Sequence, residues 1–366
     1  MLYMCYSNLN EKNTVGVKKK IRAQCHAFEK RVGRTYYTFF AGHTFYLLHD
    51  DKVVDRGFAL TKKMCNDIAL EWLIKYAIKS VYIRYSFSDV WFLDFLEELK
   101  KRCFKVVIEF PTIPYDGEHG CARPVEDRYY REQLCQHVNC CTTYANYKAV
   151  FKIPCIPLVN GVDLEENKSK EYREKDGSII LVAVAIMEKW HGYERVIQGM
   201  HEYYSNGGKV NIIFKLVGDG EQIPYYNSLV ERYGLWNHVH FYGKLEGKEL
   251  DNVYDESDIA VGVLGMYKVG RQSAAPIKTG EYCARGIPFI YGYDDVSVTK
   301  NHYFVQQVSN DATPIDINKV IEFYKRVYSG KDFIKDMRQY AMANLTWDKI
   351  LATVVKYLST SEMNCN

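Results

Sequence analysis

The sequence contains no apolar run long enough to cross a lipid bilayer. Its first residues, MLYMCYSNLNEKNT, also lack the basic and apolar regions of a secretory signal peptide. The formal net charge is +3 over 366 residues, which is too small to indicate nucleic-acid binding by charge alone. We therefore expect a cytoplasmic protein without a nucleic-acid partner, whose contact with a membrane is at most peripheral.

Signatures of several catalytic and metal-binding classes are missing as well. No H-E-x-x-H pattern, no zinc-type spacing of Cys and His, and no G-x-S-x-G pattern occurs. The segment VGDGEQ lacks the third glycine of a dinucleotide-binding loop. The 11 cysteines are odd in number and scattered, which favours reduced thiols. We expect neither a bound metal nor an organic cofactor.

The chain is too long, at 366 residues, for one ordinary hydrophobic core, so two domains are expected. In both halves short apolar runs alternate with helical patterns, which indicates α/β domains with doubly wound parallel sheets. The polar stretch after Asn160 separates the halves, and we place the domains at 1–160 and 161–344. Open sheets of this kind bind ligands at the carboxyl ends of their strands, and we expect a cleft between the two domains.

Individual elements follow from periodicity and turn residues. A hairpin is predicted to turn at Asp50–Asp51. The predicted helices span 18–32, 66–79, 89–102, 193–206, 224–233 and 247–254. The clearest predicted strands span 2–7, 36–40, 80–86 and 239–243.

The segment PIKTGEYCARGIPFI predicts a helix that begins near Thr279, ends at Gly286 and leads into a buried strand. The amino-terminal end of such a helix presents free N–H groups and the positive end of its dipole. Lys278 stands just before it, and Glu281 would lie in its first turn. This arrangement favours an anion-binding site.

Four stretches, in order along the chain, resemble one family closely: NTVGVKKKIRAQ, VNGVD, KLVGDGEQ and PIKTGEYCARGIPFI. The chain is similar in these stretches to the retaining GT-B glycosyltransferases of family four, the group 1 glycosyl transferases of bacterial polysaccharide and capsule synthesis. The resemblance implies two Rossmann-like domains, the first for the acceptor and the second for a nucleotide-diphosphate sugar. It also implies that a C-terminal helix, 345–366, crosses back to the first domain.

The resemblance assigns the donor site mainly to the segment around Glu281. This carboxylate would hold the ribose hydroxyls, while Lys278 and the helix N-terminus would oppose the diphosphate charge. The other donor-site candidates are Thr279, Gly280, Gly218, Gly220 and His191. An ordinary helix residue that complements the dipole is the alternative interpretation of Glu281.

Three positions depart from the family pattern. Ala274 stands where a second Glu beside the transferred sugar is expected. Ala185 or Ile186 replaces an expected Arg, and His191 replaces an expected Lys. The diphosphate must then be balanced elsewhere, and the candidates are Lys189, Lys268 and Arg271. Solvated loop charges are the alternative for these three side chains.

The acceptor-site candidates in the first domain are Gly16, Arg84, Asp116 and Glu118. Gly16 would let backbone amides approach the sugar phosphate. Arg84 ends a strand, whereas the two carboxylates are either sugar ligands or ordinary surface charges. No nucleophile is assigned, since orientation and charge stabilisation can carry a retaining transfer.

The first helix is notably basic between residues 18 and 34. Such a face suits an anionic membrane surface, and members of the family commonly build on lipid-linked acceptors. This favours peripheral contact with the inner face of the cell membrane. A solvated helix face is the alternative.

Together these observations predict transfer of a sugar from a nucleotide-diphosphate sugar to a saccharide acceptor, expected to be lipid-linked, with retention of configuration. The resemblance places this reaction in surface polysaccharide synthesis. Two alternatives stay open. Ala274 motivates a non-catalytic nucleotide-sugar-binding protein, and the fold also suits a sugar-nucleotide epimerase.

Overall fold

The computed structural model describes residues 1–11, 14–113, 125–171, 177–330 and 332–359. The chain forms two compact units. The first comprises Met1–Val159 and the segment from Trp347 onward, and the second comprises Asn160–Thr346. No helix in the described ranges is both long and apolar enough to span a membrane.

A sheet of nine strands forms the first unit, counted over its described residues. Its strands are β1 (Leu2–Met4), β2 (Tyr36–Ala41), β3 (Thr44–His49), β4 (Lys52–Phe58), β5 (Ser80–Arg84), β6 (Lys105–Phe110), β7 (Cys141–Thr143), β8 (Ala149–Val150) and β9 (Ile153–Pro157). They lie in the order β4-β3-β2-β1-β5-β6-β7-β9-β8, and the run from β2 to β9 is parallel. Helices α1 (Val15–Val32), α2 (Lys62–Lys75), α3 (Val90–Lys101) and α4 (Val125–Arg131) accompany it.

Local sequence explains several of these elements. The β3–β4 hairpin turns at Asp50 and Asp51, whose φ angles of 48° and 60° match the twist of a tight hairpin. The carboxylate of Asp89 accepts a hydrogen bond from the amide of Phe92 (2.7 Å) and so caps α3. Apolar side chains cover both faces of the sheet in two buried clusters. Parallel strands buried on both faces are typical of α/β proteins.

The second unit contains a parallel sheet of six strands among its described residues. The strands are β10 (Ile179–Val184), β11 (Ile212–Val217), β12 (Val239–Gly243), β13 (Ile259–Val261), β15 (Phe289–Tyr291) and β17 (Val305–Gln307), in the order β12-β11-β10-β13-β15-β17; β14 (Ser273–Ala274) and β16 (Asp294–Asp295) form a separate parallel pair. The helices are α5 (Glu194–Ser205), α6 (Ile223–Tyr233), α7 (Gly247–Glu256), α8 (Ile277–Arg285), α9 (Ile317–Tyr328) and α10 (Phe333–Tyr340).

The chain then returns to the first unit as α11 (Trp347–Ile350) and α12 (Ala352–Ser359). The expected single helix from residue 345 is therefore wrong. Thr346 has extended geometry, with ψ of 148°, because it forms a parallel bridge with Val162. The helix cannot begin before the next residue.

The expectation of reduced thiols fails at one residue. Cys103 is disulfide-bonded, whereas eight other cysteines of the described chain are free.

Candidate functional site

The loops that follow β10 and β11 are tied together at the carboxyl edge of the second sheet. The amide of Met187 donates a hydrogen bond to the carbonyl oxygen of Asp219 (2.6 Å). Gly218 and Gly220 have φ angles of 126° and 136°, and a Cβ on either would collide with the backbone of residues 185–187. Close backbone packing therefore requires glycine at positions 218 and 220, whether or not these residues contact a ligand.

Helix α8 provides the centre of the predicted donor site. It begins at Ile277, directly after Pro276, whose extended ψ of 148° makes it the N-cap. The prediction that Glu281 lies in the first turn is wrong, because the helix starts two residues before Thr279. Glu281 lies one turn further along, on the same face as Lys278.

Lys278 and Glu281 form an ion pair across that turn. The Nζ–Oε2 distance is 2.7 Å, and the two side chains are 31% and 24% exposed. Burial lowers the pKa of Lys278, but the charge of Glu281 outweighs this effect and leaves the pKa above its ordinary value. Lys278 is thus charged, and both side chains are partly open to solvent next to the free N–H groups of the helix. One turn presents a cation and a carboxylate to a ligand.

The two residues between them serve packing. Thr279 is buried, and its hydroxyl donates a hydrogen bond to Asp295 on β16. A Cβ on Gly280 would lie 3.1 Å from the Cβ of Val162, so the segment that enters the second unit packs closely there.

His191 lies in the turn between β10 and α5. Its Nδ1 accepts a hydrogen bond from the amide of Glu188 (3.1 Å), so the neutral ring carries its proton on Nε2. Burial, together with the nearby charge of Lys278, lowers the pKa of His191 to about 4. His191 thus lies close enough to Lys278 of α8 for the two groups to interact, and it is a neutral hydrogen-bond donor.

The predicted loop cations have different surroundings. Lys268, in a short helical turn at Met266–Val269, forms an ion pair with Glu194 at the start of α5. Glu194 is buried, and its other carboxylate oxygen has no hydrogen-bond partner in the described part of the chain. The charge of Lys268 is therefore already balanced. The carbonyl oxygen of Arg271 accepts a hydrogen bond from Asn310 (2.9 Å), which holds the backbone of this loop.

A buried polar cluster marks the carboxyl edge of the first sheet. Glu109, at the end of β6, is fully buried and forms an ion pair with the predicted site residue Arg84 at the end of β5. The same carboxylate accepts hydrogen bonds from Tyr82 (2.9 Å) and Gln24 (3.1 Å). Burial raises the pKa of Glu109, but Lys20 and Arg84 outweigh this effect and hold the pKa below its usual range. Arg84 is thus fixed by an ionised carboxylate.

The remaining predictions in the first unit have mixed outcomes. Gly16 lies in the first turn of α1, and a Cβ added there would meet no neighbouring element of the described chain within 4 Å, so packing does not require glycine. Asp116 and Glu118 lie outside the described residues. The basic face of α1 is partly neutralised, because Arg22 pairs with Asp51 (2.7 Å) and Lys30 pairs with Asp348 (3.2 Å).

No group of three or more His, Cys, Asp or Glu side chains in the described ranges is arranged to hold a metal ion.

Residues 165–314, which include α8 and the loops described above, match the model of the family glycosyl transferases group 1. This segment is a group 1 glycosyl transferase domain. No curated protein sequence matches the chain.

Solved structures are similar to the chain over nearly its whole length. A glycosyltransferase from Rickettsia africae is 13% identical with a TM-score of 0.67, and the match covers 99% of this chain and 98% of that one. Sucrose-phosphate synthase from Thermosynechococcus elongatus is 13% identical with a TM-score of 0.64, covering 97% of both chains. Anabaena HepE in complex with UDP-glucose is 14% identical with a TM-score of 0.60, covering 98% of both. The fold is GT-B, with two Rossmann-like domains.

Three polar residues of the chain were not predicted as site residues from the sequence: Glu109, Glu194 and Asp295. Glu109 interrupts the apolar strand KVVIEF, which is the one local signal of a buried charge. Glu194 and Asp295 have no such signal, because their partners Lys268 and Thr279 lie 74 and 16 residues away in sequence.

Proposed function

We propose that the chain transfers a sugar from a nucleotide-diphosphate sugar to a saccharide acceptor, with retention of configuration at the anomeric carbon. The amino-terminal turns of α8 carry this proposal. There a cation, a partly exposed carboxylate and free backbone amides lie together at the carboxyl edge of a parallel sheet, within a group 1 glycosyl transferase domain. HepE, which has the same fold, has been solved with UDP-glucose.

Each part of such a donor suits one feature of α8. The diphosphate suits the N–H groups and dipole at Ile277–Thr279 together with Lys278. The vicinal ribose hydroxyls are hydrogen-bond donors, and the carboxylate of Glu281 accepts them. When the diphosphate binds, Lys278 can turn from Glu281 to phosphate, which frees that carboxylate for the ribose.

His191 and Arg271 complete the proposed anion site. His191 offers an Nε2–H donor without adding charge, and Arg271 offers a planar fork that can bind two phosphate oxygens. Since Lys268 is tied to Glu194, it is the weaker candidate for the diphosphate.

The acceptor is proposed to be a saccharide, lipid-linked and part of surface polysaccharide synthesis, bound by the first unit. The Arg84–Glu109 cluster supports this placement, because it sets charged and hydroxyl groups at the carboxyl edge of that sheet. No side chain is needed as a nucleophile if the departing phosphate accepts the proton of the attacking hydroxyl.

The test begins with a thermal-shift screen across nucleotide sugars, since a ligand of the native state raises its apparent stability. The donor that gives the largest shift is then incubated, radiolabelled, with extracted lipid carriers and with soluble saccharides. Stabilisation followed by labelled product and a retained anomer supports the proposal. A shift with no transfer to any acceptor would favour the non-catalytic binding protein that Ala274 suggests.

A further inference from the structure

The ribbon formed by β14 and β16 lies directly beside the amino-terminal turn of α8. Its two strands pair in parallel, with Ala274 opposite Asp295. The chain passes from β14 into α8 within two residues, and the hydroxyl of Thr279 in α8 donates a hydrogen bond to Asp295. Asp295 therefore contacts the same turn that carries Lys278.

The order of groups along this segment follows the order of groups in the donor. Glu281 lies in the second turn of α8, Lys278 lies in the first, and the β14–β16 ribbon comes before the helix. If ribose and diphosphate occupy the first two positions, the transferred sugar extends toward the ribbon. We propose that Asp295 determines donor specificity by accepting hydrogen bonds from hydroxyl groups of the transferred sugar. This inference rests on the function proposed above.

The hydrogen bonds of Asp295 leave room for such a ligand. Its Oδ2 accepts from Thr279 and from the hydroxyl of Tyr293 (3.1 Å), while its Oδ1 accepts from the amide of Ser297 (2.8 Å). A carboxylate oxygen can accept two hydrogen bonds, so Oδ1 has capacity for one more beside this amide. Burial raises the pKa of Asp295 above its ordinary value, and the O–H and N–H donors around the carboxylate offset this effect only in part.

The small side chain opposite Asp295 fits this role. Paired residues on neighbouring strands lie about 5 Å apart and face the same side of the ribbon. A Glu at position 274 would place a second carboxylate beside Asp295, and the two like charges would repel. Ala274 avoids this repulsion and leaves space for a hydroxyl group. The carboxylate that the family pattern places on β14 is thus supplied by β16.

The test measures binding of UDP and of UDP-glucose to the wild type and to Asp295→Asn by calorimetry. The amide keeps the shape of the side chain and an acceptor for Ser297 but removes the charge. We expect UDP-glucose to bind about tenfold or more weakly, as for loss of a charge-assisted hydrogen bond, while UDP binding changes less than about twofold. Asp294→Asn is the matched control, because Asp294 directly precedes Asp295 in β16, accepts a hydrogen bond from the side-chain amide of Gln307 and faces the opposite side. It should leave both affinities unchanged.

A second variant keeps the test valid if Asp295→Asn lowers the melting temperature. Ala274→Glu leaves Asp295 in place and should weaken UDP-glucose alone, and the double variant Ala274→Glu/Asp295→Asn should regain most of that affinity. Equal weakening of UDP and UDP-glucose in Asp295→Asn would mean that Asp295 only holds α8, and would overturn the inference. Unchanged affinities would overturn it as well. A wild type that binds neither these compounds nor any other nucleotide sugar of the thermal-shift screen refutes the proposed function itself.

Discussion

The protonation of His191 should cost the fold a measurable part of its stability in acid. Its pKa is about 4 in the folded chain, because the ring is buried and Lys278 is close, against an ordinary value of 6.5. The unfolded chain therefore takes up the proton first as the pH falls below about 6.5. The contribution of the neutral His191 ring to the free energy of unfolding is complete above that pH and is lost progressively down to about pH 4. A pKa difference of about 2.5 corresponds to about 3 kcal/mol.

The matched variant is His191→Gln, which cannot titrate and keeps an amide nitrogen near the position of Nε2. Urea unfolding at pH 7.5, 5.5 and 4 gives the free energy of unfolding of both proteins, and all other titrating groups cancel in the difference. We expect the wild type to lose about 3 kcal/mol more than the variant between pH 7.5 and 4. Equal losses of unfolding free energy in the wild type and the variant would show that the fold does not hold the His191 ring neutral. The hydrogen bond from the amide of Glu188 would then not fix its tautomer.

The remaining predictions concern the donor site. Glu281→Ala should weaken binding of the cognate nucleoside diphosphate about ten- to hundredfold with little change in melting temperature; unchanged affinity in calorimetry would contradict the ribose assignment. Arg271→Ala should reduce kcat/KM for transfer with little change in melting temperature. Lys268→Ala should instead lower the melting temperature, since it leaves the buried carboxylate of Glu194 without a counter-ion. If Arg271→Ala is fully active while Lys189→Ala is inactive, the side chain that binds the diphosphate is Lys189, in the turn before α5. Sugar transfer should persist in the presence of a metal chelator. Loss of transfer in chelator, followed by recovery when Mg²⁺ is added, would contradict this prediction.

Elements with strong local signals were predictable from sequence. The strand at Val239–Gly243 and the turn at Asp50–Asp51 were predicted at their observed positions, because the preferences of β-branched, aromatic and turn residues act over a few neighbours. Short strands such as β14 and β16 were missed, since two residues carry no periodicity. The start of α8 was misplaced because Pro276, which fixes the N-cap, was taken as part of the preceding loop.

The site was predictable only where its residues are neighbours in sequence. Lys278 and Glu281 were found together because they are three residues apart on one helix. The pairing of Lys268 with Glu194 and of Arg84 with Glu109 depends on which strands are adjacent, and no local pattern encodes this. Sequence therefore indicated the charged groups, whereas the structure shows which charges are already balanced.

The return of the chain to the first unit makes the second unit an insertion within the first. Trp347, Leu351 and Val354 are buried in the same apolar cluster as Ile21 and Phe28 of α1. During synthesis, the core of the first unit can close only after the segment from Trp347 onward has been made, when the inserted unit is already complete. The segment from Trp347 onward is thus not expendable. Removal of the segment from Trp347 onward would leave α1 with exposed apolar surface and favour aggregation rather than yield a smaller soluble protein.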